Sequence, residues 1–246
     1  MAYYDYKNGK SRVEEILDND LKIIESNSLP NDDKLTYDNG YYSWVTAVFV
    51  DIRKSTELFT EENKEMVSKI IRSFTSEIIE ILKQGDNLRE IGIRGDCVYA
   101  IYTTPSKEAV YEISEKTFFV NTYIKMLNEL LRKRGFPEIK VGIGMATAQE
   151  LVVKAGRKGT GINNKVWIGN AVTRASNLSA LGNKNGNKSL VFSASSYNNF
   201  INELQDRVPK ENVKSWFEYK IDNGGYYTAG IVVKDFNDWI NNGMKE

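Results

Sequence analysis

The chain contains, at residues 48–56, the sequence Val48-Phe49-Val50-Asp51-Ile52-Arg53-Lys54-Ser55-Thr56. A second stretch, residues 93–100, is Ile93-Arg94-Gly95-Asp96-Cys97-Val98-Tyr99-Ala100. Runs of β-branched and aromatic residues predict strands, and each run here brings an aspartate to an exposed end. An aspartate at such a place can simply cap a turn or a helix. Because carboxylates are ligands that Mg²⁺ and Mn²⁺ prefer, the pair instead indicates a cation site.

The rest of the chain predicts strands and helices in an order that specifies a fold class. Apolar residues at helical spacing predict two long amphipathic helices and one shorter helix, and Gly-rich turns predict hairpins. The expected segments in order are strand 42–50, helix 60–83, hairpin 88–102, helix 105–131, strands 139–147 and 150–153, helix 171–180 led in by residues 166–169, strand 190–193, a short helix from 195 and hairpin 216–233. This order predicts an α+β, ferredoxin-like fold with a central antiparallel sheet flanked by helices.

The two ends of the chain are expected to lie outside the main domain. Residues 1–38 are predicted to be a helical extension and linker that packs on the domain or on a second subunit. Apolar residues at roughly helical spacing support the helix; they are Val13, Ile16, Leu17, Leu21, Ile23 and Ile24. Residues 39–235 form the predicted main domain, and residues 236–246 a short C-terminal helix.

The composition excludes several classes of function. The chain has 246 residues, 33 basic and 33 acidic side chains, and no histidine. Catalysis by Ser-His-Asp or Cys-His groups and a His-rich zinc site are therefore excluded. The balanced charge does not favour nucleic acid, and no apolar run approaches the roughly 20 residues that span a bilayer. With Cys97 as its single cysteine, the chain is expected to be a soluble, cytoplasmic protein.

Three blocks of sequence, in order, resemble the class III nucleotidyl cyclase catalytic domain, the fold of adenylyl and guanylyl cyclases. The resemblance covers about residues 42 to 235. The blocks are Phe49-Val50-Asp51-Ile52-x-x-Ser55-Thr56, then Gly95-Asp96-x-x-x-Ala100, then Val141-Gly142-Ile143-Gly144 with Trp167-Ile168-Gly169-Asn170-Ala171-Val172-x-x-Ala175-Ser176.

The resemblance implies that the 3′-oxygen of a nucleoside triphosphate attacks its own α-phosphorus in line. It also implies two Mn²⁺ or Mg²⁺ ions, with Asp51, Ile52 and Asp96 as the metal-binding residues. Such ions lower the pKa of the attacking hydroxyl and neutralise the diphosphate leaving group, so the chemistry needs no histidine.

The same resemblance implies a phosphate site and a dimer. Backbone N–H groups at residues 52–56, including those of Ile52, Ser55 and Thr56, would bind phosphate at a helix start. Arg53 and Lys54 either add charge there or lie in solvent. Lys220 is the candidate for the family's triphosphate-binding lysine. The family's geometry implies a homodimer with shared sites, the metal residues from one subunit and the later helix from the other, with residues 156–164 as an interface arm or a surface loop.

Both purine-reading positions of the family lack a charged residue here. Adenylyl cyclases carry a lysine four residues before the second metal aspartate, where this chain has Gly92, and an acid at the position of Val166. Arg94 shares a strand face with Asp96. Its guanidinium is expected to donate to pyrimidine carbonyls, to contact phosphate, or to pair with Glu90.

The catalytic helix departs from the family pattern as well. The family carries an asparagine and, four residues later, an arginine that stabilises charge on the transferring phosphorus. Aligned from Gly169, these positions hold Thr173 and Asn177, whereas Asn170 and Arg174 have the same spacing one turn earlier. Either Arg174 supplies the missing charge, or the motif is degraded and the protein binds nucleotide without turning it over.

Among class III cyclases, the chain most resembles the pyrimidine cyclases of bacterial antiphage Pycsar systems. This implies conversion of UTP to cyclic UMP, with CTP or ATP as alternative substrates, and a product that activates a separate effector. A bulky residue in the space of a purine would support the assignment. Tyr41, Tyr42 and Trp44 are candidates, with core packing as their alternative role.

Overall fold

The chain folds around the strand that ends near Asp51. In this computed structural model, which describes residues 3–58, 60, 63–209 and 212–245, strand β2 (Asn39–Ile52) lies in the middle of the sheet. It pairs with β4 (Cys97–Thr103) on one side and β5 (Val141–Gly156) on the other. The register puts Asp51 opposite Cys97 and Gly142.

Within the described residues, nine strands form one sheet. The other strands are β1 (Lys22–Glu25), β3 (Leu88–Arg94), β6 (Asn163–Gly169), β7 (Leu190–Ser193), β8 (Glu218–Lys220) and β9 (Tyr226–Ala229). The order is β3-β4-β2-β5-β7-β9-β8, with β1 on β2 and β6 on β5. Its first four strands have the ferredoxin-like order, which confirms the predicted fold class. Two pairs, β1–β2 and β5–β7, are parallel, so the sheet is mixed rather than wholly antiparallel.

Helices cover both faces of the sheet. They are α1 (Tyr6–Leu17), α2 (Ser55–Leu58), α3 (Lys64–Leu82), α4 (Lys107–Arg132), α5 (Asn170–Ser179), α6 (Ala194–Arg207) and α7 (Lys234–Asn241), with 3₁₀ turns at Asp32–Lys34 and Val213–Trp216. The larger core lies between the sheet and α3, α4 and α6. Helix α5 packs on the opposite face over a smaller cluster that includes Ala47, Ala146 and Ala175. The face under α5, called the α5 face below, also carries Asp51.

Local signals explain where the elements begin and end. The Ser106 side chain caps α4 by accepting a hydrogen bond from the Ala109 amide at 3.2 Å, as serine does at helix starts. Gly95 adopts a φ of +63° in the turn between β3 and β4, a conformation that glycine takes without strain. This turn delivers Asp96 to the same end of the sheet as Asp51.

Several predicted boundaries differ from the structure. Ile23 and Ile24 lie in β1 rather than in a helix, because that segment gains backbone hydrogen bonds from the exposed edge of β2. The two strands expected at 139–153 are one continuous strand, β5. The helix predicted from Thr60 begins at Lys64, and Glu61 and Glu62 lie outside the described residues.

The N-terminal helix makes little contact with the rest of the described chain. Val13, Ile16 and Leu17 are 54%, 71% and 76% exposed, so the packing expected for this helix is not made within one subunit. A search of the described residues for membrane-crossing helices finds none long and apolar enough.

Candidate active site

Asp51 and Asp96 lie near each other at one end of the sheet, since Asp51 is paired with Cys97, the residue after Asp96. The Asp51 carboxylate is half-buried, and burial raises its pKa; the nearby Asp96 carboxylate raises it further, whereas Arg53 and Lys184 lower it. Two acidic groups this close favour a bound cation, since a cation removes their repulsion. The structure therefore brings together the two carboxylates that the sequence singled out.

The donor set fits a hard divalent cation. In the described part of the chain there is no cluster of three His, Cys, Asp or Glu side chains that could hold a metal. Mg²⁺ is commonly bound through one or two carboxylates together with substrate phosphates. Asp51 and Asp96 would supply the carboxylates, and Ile52, whose side chain is apolar and buried, could contribute only its backbone carbonyl.

The turn after Asp51 differs from the predicted phosphate site in two respects, both at Arg53. The Arg53 amide donates to the Lys140 carbonyl at 2.7 Å, so that amide is occupied. The Arg53 side chain is buried: it pairs with the Asp51 carboxylate and donates to the Ala180 carbonyl at 2.9 Å. Lys54 has a φ of +57° and an exposed side chain. Ser55 and Thr56 begin the short helix α2 and remain the candidates for phosphate contact.

Helix α5 reaches the carboxylates because two glycines leave room for it. A Cβ atom on Gly142 would collide with the Ser179 carbonyl, and one on Gly144 with the Ala175 carbonyl. The helix backbone therefore lies directly on β5, which pairs with β2 as far as Asp51. The Val-Gly-Ile-Gly block thus has a steric role that its sequence alone did not reveal.

The four predicted catalytic residues lie along one side of α5. Asn170, Thr173 and Asn177 are exposed, and Arg174 is partly buried beside them. Arg174 donates to the Gly225 carbonyl at 2.7 Å and to the Asn223 carbonyl, in the turn between β8 and β9. Its guanidinium is thus held by its own chain rather than free. Together the four residues are called the α5 stripe below.

One of the two purine-reading positions of the family, Gly92, lies beside an aromatic wall formed by Tyr99, Trp167 and the Glu90 carboxylate that joins them. The Tyr99 ring stands over Gly92, where an added Cβ would lie 2.8 Å from the ring. The Tyr99 hydroxyl donates to Glu90 at 2.8 Å, and the Trp167 indole donates to the other oxygen of the same carboxylate at 2.8 Å. Sequence reasoning missed this wall because it depends on contacts between strands.

Three further expectations about this region can be compared with the structure. Arg94 is exposed, and the expected Arg94–Glu90 pair does not form among the described residues, because Glu90 is engaged by Tyr99 and Trp167. Trp44 is 40% exposed at the far end of β2. Tyr41 borders a small cavity lined also by Trp167. Tyr99, rather than either of these, covers Gly92.

Two lysines differ in their relation to the carboxylates. Lys220 lies on the edge strand β8 and pairs with Glu218, which raises the Lys220 pKa. Lys184, in the loop after α5, lies close enough to Asp51 to lower the pKa of that carboxyl. That loop is fixed on the sheet, since the Asn183 amide group donates to the Val141 carbonyl at 2.8 Å. No motif in the sequence indicated Lys184.

A groove of about 450 Å³ lies beside the aromatic wall. Glu90, Tyr99, Lys154 and Lys165 contribute to its lining, and Asp51 and Asp96 do not. Among the described residues, this groove therefore does not extend from the aromatic wall to the two carboxylates.

Comparison with known proteins identifies the family. The adenylate and guanylate cyclase catalytic domain matches residues 38–199. A protein named uridylate cyclase from Treponema porcinum is 58% identical over 98% of this chain and 82% of its own length. A uridylate cyclase from Gulbenkiania mobilis is 34% identical over 74% of this chain and 73% of its own.

Solved structures agree in fold. The guanylyl cyclase Cya2 matches 80% of this chain and 97% of its own with a TM-score of 0.61 at 16% identity. The adenylyl cyclase CyaB from P. aeruginosa matches 77% of this chain and 94% of its own, with a TM-score of 0.59 at 20% identity. The predicted resemblance and the predicted enzyme class, a nucleotidyl cyclase, are confirmed. The chain belongs to the class III nucleotidyl cyclase family, that of the adenylate and guanylate cyclase catalytic domains.

Proposed function

We propose that this chain is a uridylate cyclase that converts UTP to cyclic UMP and diphosphate. The observation that carries the proposal is the 58% identity, over nearly the whole chain, to a protein named uridylate cyclase. The aromatic wall supports it, because the Tyr99 ring occupies the space above Gly92 in which a purine-reading side chain would stand.

In the proposed reaction the 3′-oxygen of UTP forms a bond to the α-phosphorus, and the bond from that phosphorus to the β-phosphate oxygen breaks. The 3′-hydroxyl gives its proton to water, and diphosphate leaves with the electron pair of the broken bond. Asp51, Asp96 and the Ile52 carbonyl would hold two Mg²⁺ or Mn²⁺ ions. Such ions, when bound, would supply Lewis acidity to the attacking 3′-oxygen and to the leaving diphosphate oxygen. Ser55, Thr56 and Lys184 would bind and orient the phosphates.

Base selection is proposed to reside in the aromatic wall and Arg94. Burial and the hydrogen bond to Glu90 raise the pKa of Tyr99 to about 12, so its hydroxyl remains a donor to that carboxylate at neutral pH. Tyr99 and Trp167 together occupy both Glu90 oxygens. The exposed Arg94 therefore retains its donors for the carbonyl oxygens of uracil. Cytosine offers one carbonyl fewer, and CTP is therefore the nearest alternative substrate.

The proposed active unit is a homodimer with two shared sites, each combining Asp51 and Asp96 of one subunit with the α5 stripe of the other. The separation of the groove from the carboxylates supports this arrangement, since one chain leaves the nucleotide only partly enclosed. The Lys220 side chain, on the far edge of the sheet, would approach phosphate only across such a dimer.

In the cell, we propose that the enzyme acts in the cytoplasm and that its product activates a separate effector in antiphage defence. The resemblance to the Pycsar pyrimidine cyclases supports this role. No nucleic acid or membrane partner is part of the proposal.

A second candidate function is a nucleotide-binding or dimerisation module without turnover. One observation favours it: the Arg174 guanidinium is bound to carbonyls of its own chain, and the family positions hold Thr173 and Asn177. Nucleotide binding without product, at high protein concentration, would establish this alternative.

The deciding experiment incubates the protein with each of the four nucleoside triphosphates and Mn²⁺ and identifies 3′,5′-cyclic products. We expect cyclic UMP in excess over the other three. Asp51→Asn and Asp96→Asn should each reduce turnover at least about a hundredfold, because each removes one charged ligand. The exposed Asp33→Asn serves as the matched control and should leave turnover unchanged. Absence of any cyclic product would refute the proposal.

A further inference from the structure

A buried carboxylate lies under the start of α5. Within the described residues, Glu150 is the one acidic side chain that is fully buried, with a relative exposure of 0%. It belongs to β5, on the face of that strand that also carries Gly142, Gly144, Ala146 and Val152. The proposed chemistry at Asp51 and Asp96 makes no use of it, since those carboxylates lie at the other end of α5.

Glu150 takes the place of a capping side chain for α5. The residue before the helix is Gly169, which has no side chain with which to cap. One oxygen of the Glu150 carboxylate accepts hydrogen bonds from the Ala171 amide and, at 3.3 Å, from the Val172 amide. These are first-turn donors that lack partners within a helix. A negative charge at this position also complements the helix dipole.

Gly169 makes room for the carboxylate. In the sheet Gly169 lies directly opposite Glu150, and a Cβ atom on it would stand 2.8 Å from the carboxyl carbon. A serine or aspartate at 169, the usual capping residues, would therefore collide with the group that caps the helix from below. Gly169 and Glu150 thus act together, and the group that caps the helix comes from the neighbouring strand β5.

The arrangement is costly for a group that only stabilises the fold. The second Glu150 oxygen is buried without a hydrogen-bond partner among the described residues, as is the hydroxyl of Ser43, which lies opposite Glu150 in β2. A buried polar atom without a partner is destabilising, and a conventional cap at 169 would satisfy the same amides without it. A cap at residue 169 would bond only within its own turn, whereas the Glu150 carboxylate fixes the helix to the strand β5.

We propose that Glu150 is a positioning residue for the active site, holding the first turn of α5 on β5 and so setting the height and rotation of the α5 stripe. This rests on the proposed function, in that the stripe is taken to contact substrate. Glu150 itself touches neither substrate nor the carboxylates. Small displacements of groups that contact reacting atoms cost large factors in rate, which is why an anchor at this point matters.

The test compares Glu150→Ala and Glu150→Gln with the exposed Glu138→Gln as control. Two quantities are measured: hydrogen exchange of the amides in residues 169–179, and kcat and KM for UTP. Glu150→Ala is expected to expose the first-turn amides to exchange and to lower kcat at least about tenfold with KM within about twofold. Glu150→Gln keeps one oxygen acceptor and should recover part of both losses. The control should match the wild type.

Two results would overturn the proposal: a folded Glu150→Ala protein with wild-type kcat and a lowered melting temperature, or unchanged exchange in the first turn of α5. If Glu150→Ala does not fold, Glu150→Gln decides: faster exchange of the first-turn amides must then be accompanied by a lower kcat, and faster exchange with a wild-type kcat overturns the proposal. If the wild-type protein makes no cyclic product, the proposed function fails. Hydrogen exchange then still decides whether Glu150 anchors the helix.

Discussion

At the scale of single residues, the α5 face carries a few polar and aromatic side chains whose surroundings constrain them. Burial and the Asp96 carboxylate raise the pKa of Asp51, whereas Arg53 and Lys184 lower it. Tyr99 is held by the Glu90 carboxylate and stacks on Phe49, with ring centroids 5.4 Å apart. Such constraints keep the carboxylates and the aromatic wall in one geometry before substrate arrives.

Tyr99 yields a prediction about base selection. Tyr99→Ala opens the space over Gly92, so we expect turnover of UTP to fall about tenfold while the share of purine products rises. Tyr99→Phe keeps the ring and loses only the hydrogen bond to Glu90, so it should retain the pyrimidine preference. The measurement is product formation from equimolar mixtures of the four triphosphates. An unchanged product ratio in Tyr99→Ala would show that the ring does not exclude purines.

Glu150 yields a prediction about pH and stability. Burial raises the pKa of this carboxyl above its ordinary value of 4.5, although the two α5 amides lower it. Protons then bind the folded state more tightly than the unfolded one, so the contribution of Glu150 to stability falls as pH rises above 4.5. The fall ends once pH exceeds the folded-state pKa. Because Glu150→Gln cannot ionise, the stability of that variant lacks this dependence on pH.

We therefore expect the melting temperature of the wild type, minus that of Glu150→Gln, to decrease as pH rises from below 4.5 towards neutrality. Thermal unfolding in a series of buffers at constant ionic strength measures it. A difference that stays constant over this range would mean that the Glu150 pKa is the same in both states.

At the scale of elements, the site depends on how closely α5 lies on β5. Helices usually stand off a sheet by the length of their side chains, but Gly142 and Gly144 remove that layer. The α5 stripe is thereby lowered toward the face that carries Asp51. Glu150 at one end of α5 and the Arg53–Ala180 hydrogen bond at the other hold the helix along its length.

A methyl group under α5 should disturb it. In Gly144→Ala the new Cβ would collide with backbone atoms of Ala175 and Ser179. We expect a loss of about 1–3 kcal/mol in the free energy of unfolding, together with a marked loss of turnover. Gly230→Ala is the matched control, because its Cβ would meet no atom closer than 3.9 Å. Denaturant unfolding and the cyclase assay measure both effects; equal behaviour of the two variants would refute the role assigned to Gly144.

Sequence patterns predicted the helices and strands themselves more accurately than they predicted the contacts between these elements. The helical periods around Phe74 and Ile113 correctly placed α3 and α4, because one buried face repeats along each helix. The same pattern misassigned Ile23, since whether a short apolar segment becomes a strand depends on a free sheet edge elsewhere. Glu150 could have been noticed: it follows Ala146 and Ala148 at alternate positions of a strand, where an acid is unexpected.

The residues proposed to bind metal and those proposed to select the base also differ in how far the sequence predicted them. Asp51 and Asp96 were predictable because each sits at the end of a local pattern. The positions of Tyr99 over Gly92, of Lys184 near Asp51 and of Arg53 under α5 depend on strand register and helix placement, which single-sequence patterns do not specify.

At the scale of the whole molecule, the sheet separates the larger apolar core from the α5 face, to which we assign the proposed active site. The face under α3, α4 and α6 is filled with apolar side chains. The α5 face carries the carboxylates at one end of β2 and β4, and the aromatic wall on β3, β4 and β6. A second subunit turned over against this face would bring its α5 stripe to the carboxylates of the first, and the reverse.

The shared site can be tested by mixing inactive variants. Asp51→Asn removes the metal side, and replacing all four residues of the α5 stripe with alanine removes the helix side. In a mixed dimer one of the two sites then carries both lesions and the other carries none. With equal amounts and free exchange of subunits, half of the dimers are mixed, so turnover should return to about a quarter of the wild-type value.

The matched control mixes Asp51→Asn with Asp96→Asn. Both lesions are on the metal side, so each site of a mixed dimer keeps one of them and turnover should stay at the level of the single variants. Exchange of subunits is verified with two affinity tags, and the readout is cyclic UMP formed after co-expression. Because the two mixtures differ only in which side of the site is damaged, recovery in the first alone can arise only if the sides come from different chains. No recovery in either mixture, with exchange verified, would place Asp51, Asp96 and the α5 stripe in a site made by one subunit.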